Sequence, residues 1–286
     1  MEKKKRLPFI LSYILPAAAL LLLLVGFFVW GELGKGSGLE ITFLKVGKAD
    51  AIIAICGREA MVIDTGEKDD GDDILEVLSD KGITSLKALV ITHFDKDHVG
   101  GAGELTDGIA IEKAYLPDYE SDSAGLARFE KSAALRAVPV TYLRSDVEFE
   151  LGECHVLIEP PASYEIPDTD DEYDNDLSLI TTITHGEDVF LLTGDAESRR
   201  IREYMQSGRT DSCDLIKLPH HGAYDPELVD LLEAQKPGSA VICNSVKNPS
   251  ADETLEMLEE LGIEVYETKN GDIRAVSSGS GIKIYQ

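Results

Sequence analysis

Residues 91–101, Ile-Thr-His-Phe-Asp-Lys-Asp-His-Val-Gly-Gly, constrain this chain more than any other stretch. His93, Asp95, Asp97 and His98 fall within six residues, directly after the mostly apolar run Leu86 to Ile91 and just before Gly100-Gly101. A short apolar run of this kind reads as a buried strand. A strand that ends in a tight loop of imidazoles and carboxylates offers several metal ligands at one sheet edge. The remaining ligands must come from other strand ends brought to the same edge.

The rest of the chain has the pattern to do this. Strands are expected at Ala51 to Cys56 and Ala60 to Ile63, closed by Asp64-Thr65-Gly66, and a helix over Asp72 to Asp80. Strand and helix signals then alternate through Gly125 to Ala137, Val138 to Leu143 and a hairpin around Gly152. Tyr164 to Asp176 holds seven acidic residues and no apolar period, and reads as a loop. A second series follows: strands over Leu177 to Thr184 and Val189 to Thr193, a helix over Ser198 to Gln206, and a strand from Cys213 to Leu218. Helices at Pro226 to Ala234 and Ala251 to Leu261 flank a strand at Ala240 to Cys243, and short strands end the chain. This order predicts an α/β fold of two similar halves, their sheets packed together with helices outside.

Residues 7–30 carry no charge and follow Lys3-Lys4-Lys5-Arg6. About 20 apolar residues cross a bilayer core, and a preceding basic cluster stays inside. The expectation is a single-pass anchor over 7–30 with a basic tail at 1–6, a linker at 31–39 and a catalytic domain at 40–286 outside the cytoplasm. The alternative is a cleaved signal and a secreted domain. The membrane is thus the first expected partner. With 53 acidic and 27 basic residues the net charge is −26, which repels polyanions at long range and disfavours nucleic acid. The four cysteines, Cys56, Cys154, Cys213 and Cys243, form no close pair in sequence and are expected as buried thiols.

Of the six histidines, four lie in two places, His93 with His98 and His220 with His221, each after an expected strand. Asp195 follows another. Imidazole with carboxylate suits zinc, manganese or iron. The set has no thiol and too many ligands for one ion. Two ions sharing a bridging carboxylate fit it better, and such a pair activates water and neutralises a developing anion.

His93-x-Asp95-x-Asp97-His98 resembles the HxHxDH signature of the metallo-β-lactamase fold, with aspartate in place of the second histidine. Asp64-Thr65-Gly66, Gly194-Asp195 and Pro219-His220-His221-Gly222 occur in that family's order. The HxDxDH form, Pro-His-His-Gly and Val46-Gly47-Lys48-Ala49-Asp50 are similar to the hydrolase domain of ComEC-type competence proteins. The resemblance covers about residues 40–286 and implies a four-layer αββα sandwich, preceded by the N-terminal transmembrane helix. It implies His93 and Asp95 on a first divalent ion, Asp97 and His98 on a second, and Asp195 between them. His220 or His221 completes the second site. The expectation favours His220 and leaves His221 to orient substrate or protonate a leaving group. Asp64 would support the ligand loop from beneath, and Asp50 would be a turn residue or stand at the site's edge.

One position departs from the broad family, which supplies another first-site histidine before Asp195. Here only His155, in an expected strand, and His185, in an expected hairpin turn, lie in between, and both read as structural. Asn175-Asp176-Leu177-Ser178 matches the place better and resembles the subgroup's Asn-x-x-Ser. With Asn175 and Ser178 there, the first site is oxygen-rich, which moves preference from zinc (Zn2+) toward manganese (Mn2+). The resemblance implies a phosphodiesterase in which Asp97, Asp195 and His221 take part in catalysis. Hydrolysis of a carboxylic ester or lactone at the same site is the alternative, and a non-catalytic metal-binding surface protein is the third. Substrate choice is expected to lie in residues 109–176.

Overall fold

The computed structural model describes residues 38–165, 174–208 and 212–286. The apolar run at 7–30 and its basic tail lie outside them. Among the described residues no helix is long and apolar enough to cross a membrane.

The chain runs β1 (Leu39–Phe43), β2 (Ala51–Cys56), β3 (Glu59–Thr65), α1 (Asp70–Asp80), β4 (Ser85–Leu86), β5 (Ala88–Val90), α2 (Lys96–Val99) and α3 (Ala102–Gly108). It continues through β6 (Ala110–Ile111), β7 (Ala114–Pro117), α4 (Ala124–Arg136), β8 (Val140–Leu143), β9 (Val147–Leu151) and β10 (Cys154–Glu159). The second series is β11 (Ile180–His185), β12 (Asp188–Leu192), α5 (Ser198–Gln206), β13 (Leu215–Lys217), α6 (Glu227–Gln235), β14 (Ser239–Ile242), α7 (Asp252–Glu260), β15 (Glu264–Glu267), β16 (Ile273–Ser277) and β17 (Ile282–Tyr285).

One sheet has the order β17-β16-β1-β2-β3-β5-β7-β8 and the other β15-β14-β13-β12-β11-β10-β9. The C-terminal strands therefore return to the first sheet, where β16 pairs antiparallel with β1. Alternation along β2 shows how the layers form. Ile52 and Ala54 face Val156, Ile183 and Phe190 of the other sheet, whereas Ile53 packs with Ile74, Leu105 and Phe129 of the covering helices. On the second sheet Leu192 and Leu215 face inward, while Leu191 and Ile216 pack with Ile201, Leu228, Leu231 and Leu258. Helix, sheet, sheet, helix is the expected αββα order.

Each sheet is antiparallel on one side and parallel on the other. β3, β5, β7 and β8 run parallel in the first, and β12, β13, β14 and β15 in the second. Loops at the carboxyl ends of parallel strands are where such sheets hold ligands. The carboxyl ends of β3, β5, β12, β13 and β14, with the loops that follow, carry Asp64-Thr65-Gly66, the His93 to His98 motif, Asp195, the His-His pair and Cys243 respectively. Of the expected acidic loop, Tyr164 to Asp176, residues 166–173 lie outside the described residues, and Asn175–Leu177 is a 3-10 turn leading into β11. All four cysteines are free and buried.

Candidate metal centre

The ligand loop is held from beneath by Asp64. Its carboxylate accepts from Thr92 N at 2.7 Å and from Thr92 Oγ1 at 2.6 Å, and Oδ2 lies 2.7 Å from His98 Nδ1. Asp64 does this with φ of 57°, a left-handed backbone that aspartate tolerates better than most residues. Gly100-Gly101 follow because the chain passes tightly over the same turn. A Cβ on Gly101 would meet Thr65 O at 2.5 Å.

Three histidines are oriented alike. His98 Nδ1 donates to Asp64. Thr92 Oγ1, which already donates to Asp64, accepts from His93 Nδ1 at 3.0 Å. His221 Nδ1 donates to Cys243 O at 2.8 Å. With Nδ1 engaged in each ring, the polar atom left is Nε2, the arrangement that fixes a metal-binding tautomer. Nε2 of His93, His98 and His221 are all buried and make no well-aligned hydrogen bond. They converge on Asp195, whose Oδ2 lies 3.2 Å from His98 Nε2 and 3.1 Å from His221 Nε2. Asp97 Oδ2 lies 3.6 Å from His221 Nε2. Donor atoms of His93, His98 and Asp195 form one group within 4.8 Å of one another, and those of Asp97, His98 and His221 a second. Orphaned imidazole nitrogens around carboxylates fit divalent cations.

The structure corrects the choice between the adjacent histidines. His221, not His220, enters the cluster. Both residues have positive φ, 44° and 53°, a backbone that costs roughly 1–2 kcal/mol per residue. This left-handed pair sends His221 inward, where it is 3% exposed. His220 sits at the rim with Nδ1 2.6 Å from Glu197 Oε1. Asp50 follows the expected turn at 47–49, but of its two readings the site-edge one does not hold: it is fully buried, with Oδ1 3.6 Å from His221 Nδ1. Asp95 stands at the rim, half-exposed, with Oδ2 3.8 Å from His93 Nε2, outside both donor groups. Asn175 donates from Nδ2 to Glu197 Oε1 at 2.8 Å, and its Oδ1 is buried without a hydrogen-bond partner. Ser178 Oγ accepts from Asp195 N at 3.2 Å and so positions the shared carboxylate. His155 pairs with Glu148 and Glu150, and His185 with Ser277, so neither joins the centre.

Sequence reasoning missed Lys217. It ends β13 fully buried, pairs with Asp50, donates to Gly194 O at 2.8 Å and lies 3.3 Å from Asp195 Oδ1. The signal was a charge inside an otherwise apolar run, since a buried lysine needs partners. Burial works against its ammonium, but Asp50 and Asp195 outweigh it and raise its pKa. Burial, reinforced by His98, pushes His93 down to about 3, so its ring is neutral. Burial also opposes charge on His221, yet Asp195 and Asp97 hold its pKa up to about 9. His98 is raised in the same way by Asp195 and Asp64. Asp97 and Asp195 resist the effect of burial through the neighbouring histidines and are held below the usual carboxylate range.

An αββα sandwich with histidines and aspartates converging at parallel strand ends defines a metal-dependent hydrolase of the metallo-β-lactamase kind. Residues 51–245 match the Metallo-beta-lactamase superfamily, and the chain belongs to that superfamily. Within it the chain is similar to ComEC-type competence proteins. It is 27% identical over 263 residues to ComE operon protein 3 of Bacillus subtilis (strain 168), covering 82% of this chain and 32% of that protein. It is 26% identical over 215 residues to Recombination protein 2 of Haemophilus influenzae, covering 73% of this chain and 25% of that protein. The chain thus spans a third or less of these relatives. Among solved structures it is similar to the metallo-beta-lactamase fold protein YhfI from Bacillus subtilis, with TM-score 0.55, 13% identity, and coverage of 86% of this chain and 100% of that one.

Proposed function

We propose that this chain is an extracytoplasmic, metal-dependent phosphodiesterase. The observation that carries the reading is the donor set. Asp97 and Asp195 accompany three Nε2-presenting histidines, a mixed imidazole and carboxylate centre suited to zinc or manganese. The likeness to proteins named for competence and recombination supports a phosphodiester substrate, and the charge-free run at 7–30 supports a membrane-anchored location. His93, His98, His221, Asp97 and Asp195 would hold the ions, which when bound supply charge neutralisation at a phosphoryl oxygen and a more acidic water.

The chain's own residues have distinct tasks. Lys217 engages Asp195 Oδ1 and leaves Oδ2 toward the histidines. Asp64 and Ser178 fix His98 and Asp195 before substrate arrives. His220, held through Nδ1 by Glu197 and 26% exposed on its side chain, is the group placed to protonate a leaving oxygen. A panel of bis-p-nitrophenyl phosphate, a p-nitrophenyl carboxylic ester and nitrocefin, each with zinc or manganese, tests the reading. Turnover of the phosphodiester above the other two is expected. Preference for the ester replaces the phosphodiesterase reading with a carboxylesterase one, and no turnover of any substrate ends both.

A further inference from the structure

Beside Asp97 a groove of about 680 Å³ opens between four separate segments, three of which carry a lysine. The turn before β2 brings Lys48, the start of α2 brings Lys96, and the loop after β14 brings Lys247. The carboxylates in its lining are Glu67 and Asp97. Three lysines against two carboxylates reverse the balance of a chain with 27 basic and 53 acidic residues. Lys96 lies 3.3 Å from Glu67, while Lys48 and Lys247 have no ion-pair partner among the described residues.

The segments are braced. Asp50 N donates to Asp97 O at 3.1 Å, which ties the Lys48 turn to the ligand loop. The Lys247 loop hangs from buried Asn244, whose side chain donates to Ser250 Oγ at 2.9 Å and Glu267 Oε1 at 2.7 Å. Within the loop, Asn248 N donates to Ser245 Oγ at 3.1 Å. A long, hydrated ammonium binds phosphate as a point charge and reads no base. No aromatic side chain lines the groove on which a base could stack.

We propose that this groove is a phosphate subsite, in which Lys48, Lys96 and Lys247 seat the phosphates flanking the one over Asp97 and His221. The substrate is then a chain of phosphodiesters recognised through its phosphates alone, not a lone phosphodiester. The inference rests on the phosphodiesterase reading for its scissile bond, but its binding claim does not. The local field at the groove, not the net charge of −26, governs the last few ångströms of approach, because the Debye length is about 8 Å in physiological salt.

The test uses the full chain and the K48Q/K96Q/K247Q variant, a set that removes charge from exposed or half-buried positions. Binding of a fluorescent eight-residue oligothymidylate is read by anisotropy across a salt series, with chelator present. Turnover of bis-p-nitrophenyl phosphate is read separately with metal. The expected result is oligothymidylate binding at least 10-fold weaker in the variant. The salt slope should fall by at least about 0.7, the value of one lost phosphate contact on a single strand. KM for bis-p-nitrophenyl phosphate should be unchanged. Poly(glycerol phosphate) should displace the oligothymidylate at equal phosphate, and failure to do so overturns recognition by phosphate alone. Equal binding and equal slope in wild type and variant overturn the subsite while leaving the phosphodiesterase reading intact. Lysine-dependent binding without turnover of any phosphodiester upholds the subsite and removes the enzymatic reading.

Discussion

The ammonium of Lys217 lies 3.3 Å from Asp195 Oδ1, while Oδ2 of the same carboxylate faces His98 and His221. One oxygen is thus given to a permanent protein cation and the other to the metal-binding nitrogens. Lys217 also pairs with Asp50. The Lys217→Met variant would leave two buried carboxylates without their cation. Removing one partner of a buried ion pair costs about 3–5 kcal/mol. The expected result is a loss of that size in urea denaturation with chelator present, where no bound ion adds to the stability of either protein. A midpoint unchanged in chelator would remove Lys217 from this role.

The neighbouring histidines should separate cleanly. His221→Ala removes an oriented Nε2 from the centre, so bound metal and turnover should both be lost, by more than the roughly 10–100-fold typical of losing a supporting residue. His220→Ala should keep its metal. With bis-p-nitrophenyl phosphate, whose leaving group needs no proton, its rate should stay near wild type. With an alkyl leaving group it should fall about 100-fold or more, as expected for loss of a general acid. Metal analysis and the two rates decide the assignment, and metal loss in His220→Ala instead of His221→Ala would reverse it.

Much of the centre was legible because its ligands sit at strand ends, and strand ends can be read from where apolar runs stop. His93, Asp97, His98 and Asp195 are of this kind. What sequence could not rank was set by backbone geometry. His220 and His221 differ only in which way two consecutive left-handed residues aim their side chains, and proximity to the strand is no guide to that. Asp50 reads as a turn residue because Gly47 and Lys48 precede it, yet its N donates to Asp97 O and draws it into the interior. Lys217 was hidden by its run, Leu215-Ile216-Lys217-Leu218, which scores as an ordinary buried strand. The two-sheet fold followed from the repeated order of strand and helix. The return of β16 to β1 did not, because the pairing partner of a short terminal strand leaves no local signal.

Asp64 contributes through orientation, and Asp64→Asn isolates that contribution. Asparagine tolerates the left-handed backbone at this position and preserves the shape. It removes the charge that holds Nδ1–H of His98 and accepts from Thr92. Metal affinity should drop about 10–100-fold, with thermal stability in chelator changing far less than in Lys217→Met. Zinc titration against a competing chromophoric chelator measures it. Wild-type affinity in Asp64→Asn would mean that His98 needs no such support.

The proton on His221 sets the pH dependence. Its pKa rises from 6.5 to about 9 on folding because Asp195 and Asp97 outweigh burial. A pKa higher in the folded than in the unfolded chain means tighter proton binding by the folded state. The resulting stabilisation of the metal-free protein is complete below pH 6.5 and disappears as pH rises through about 9. A divalent cation needs the same Nε2 lone pair, so it must displace the proton. His98, raised in the same direction, adds to the effect. Zinc binding at pH 7 should therefore release at least about one proton, and apparent affinity should rise with pH through about 9. Calorimetric titration in two buffers of different ionisation enthalpy counts the protons. Identical heats in both buffers at pH 7 would show that the cluster takes its metal with His98 and His221 already neutral.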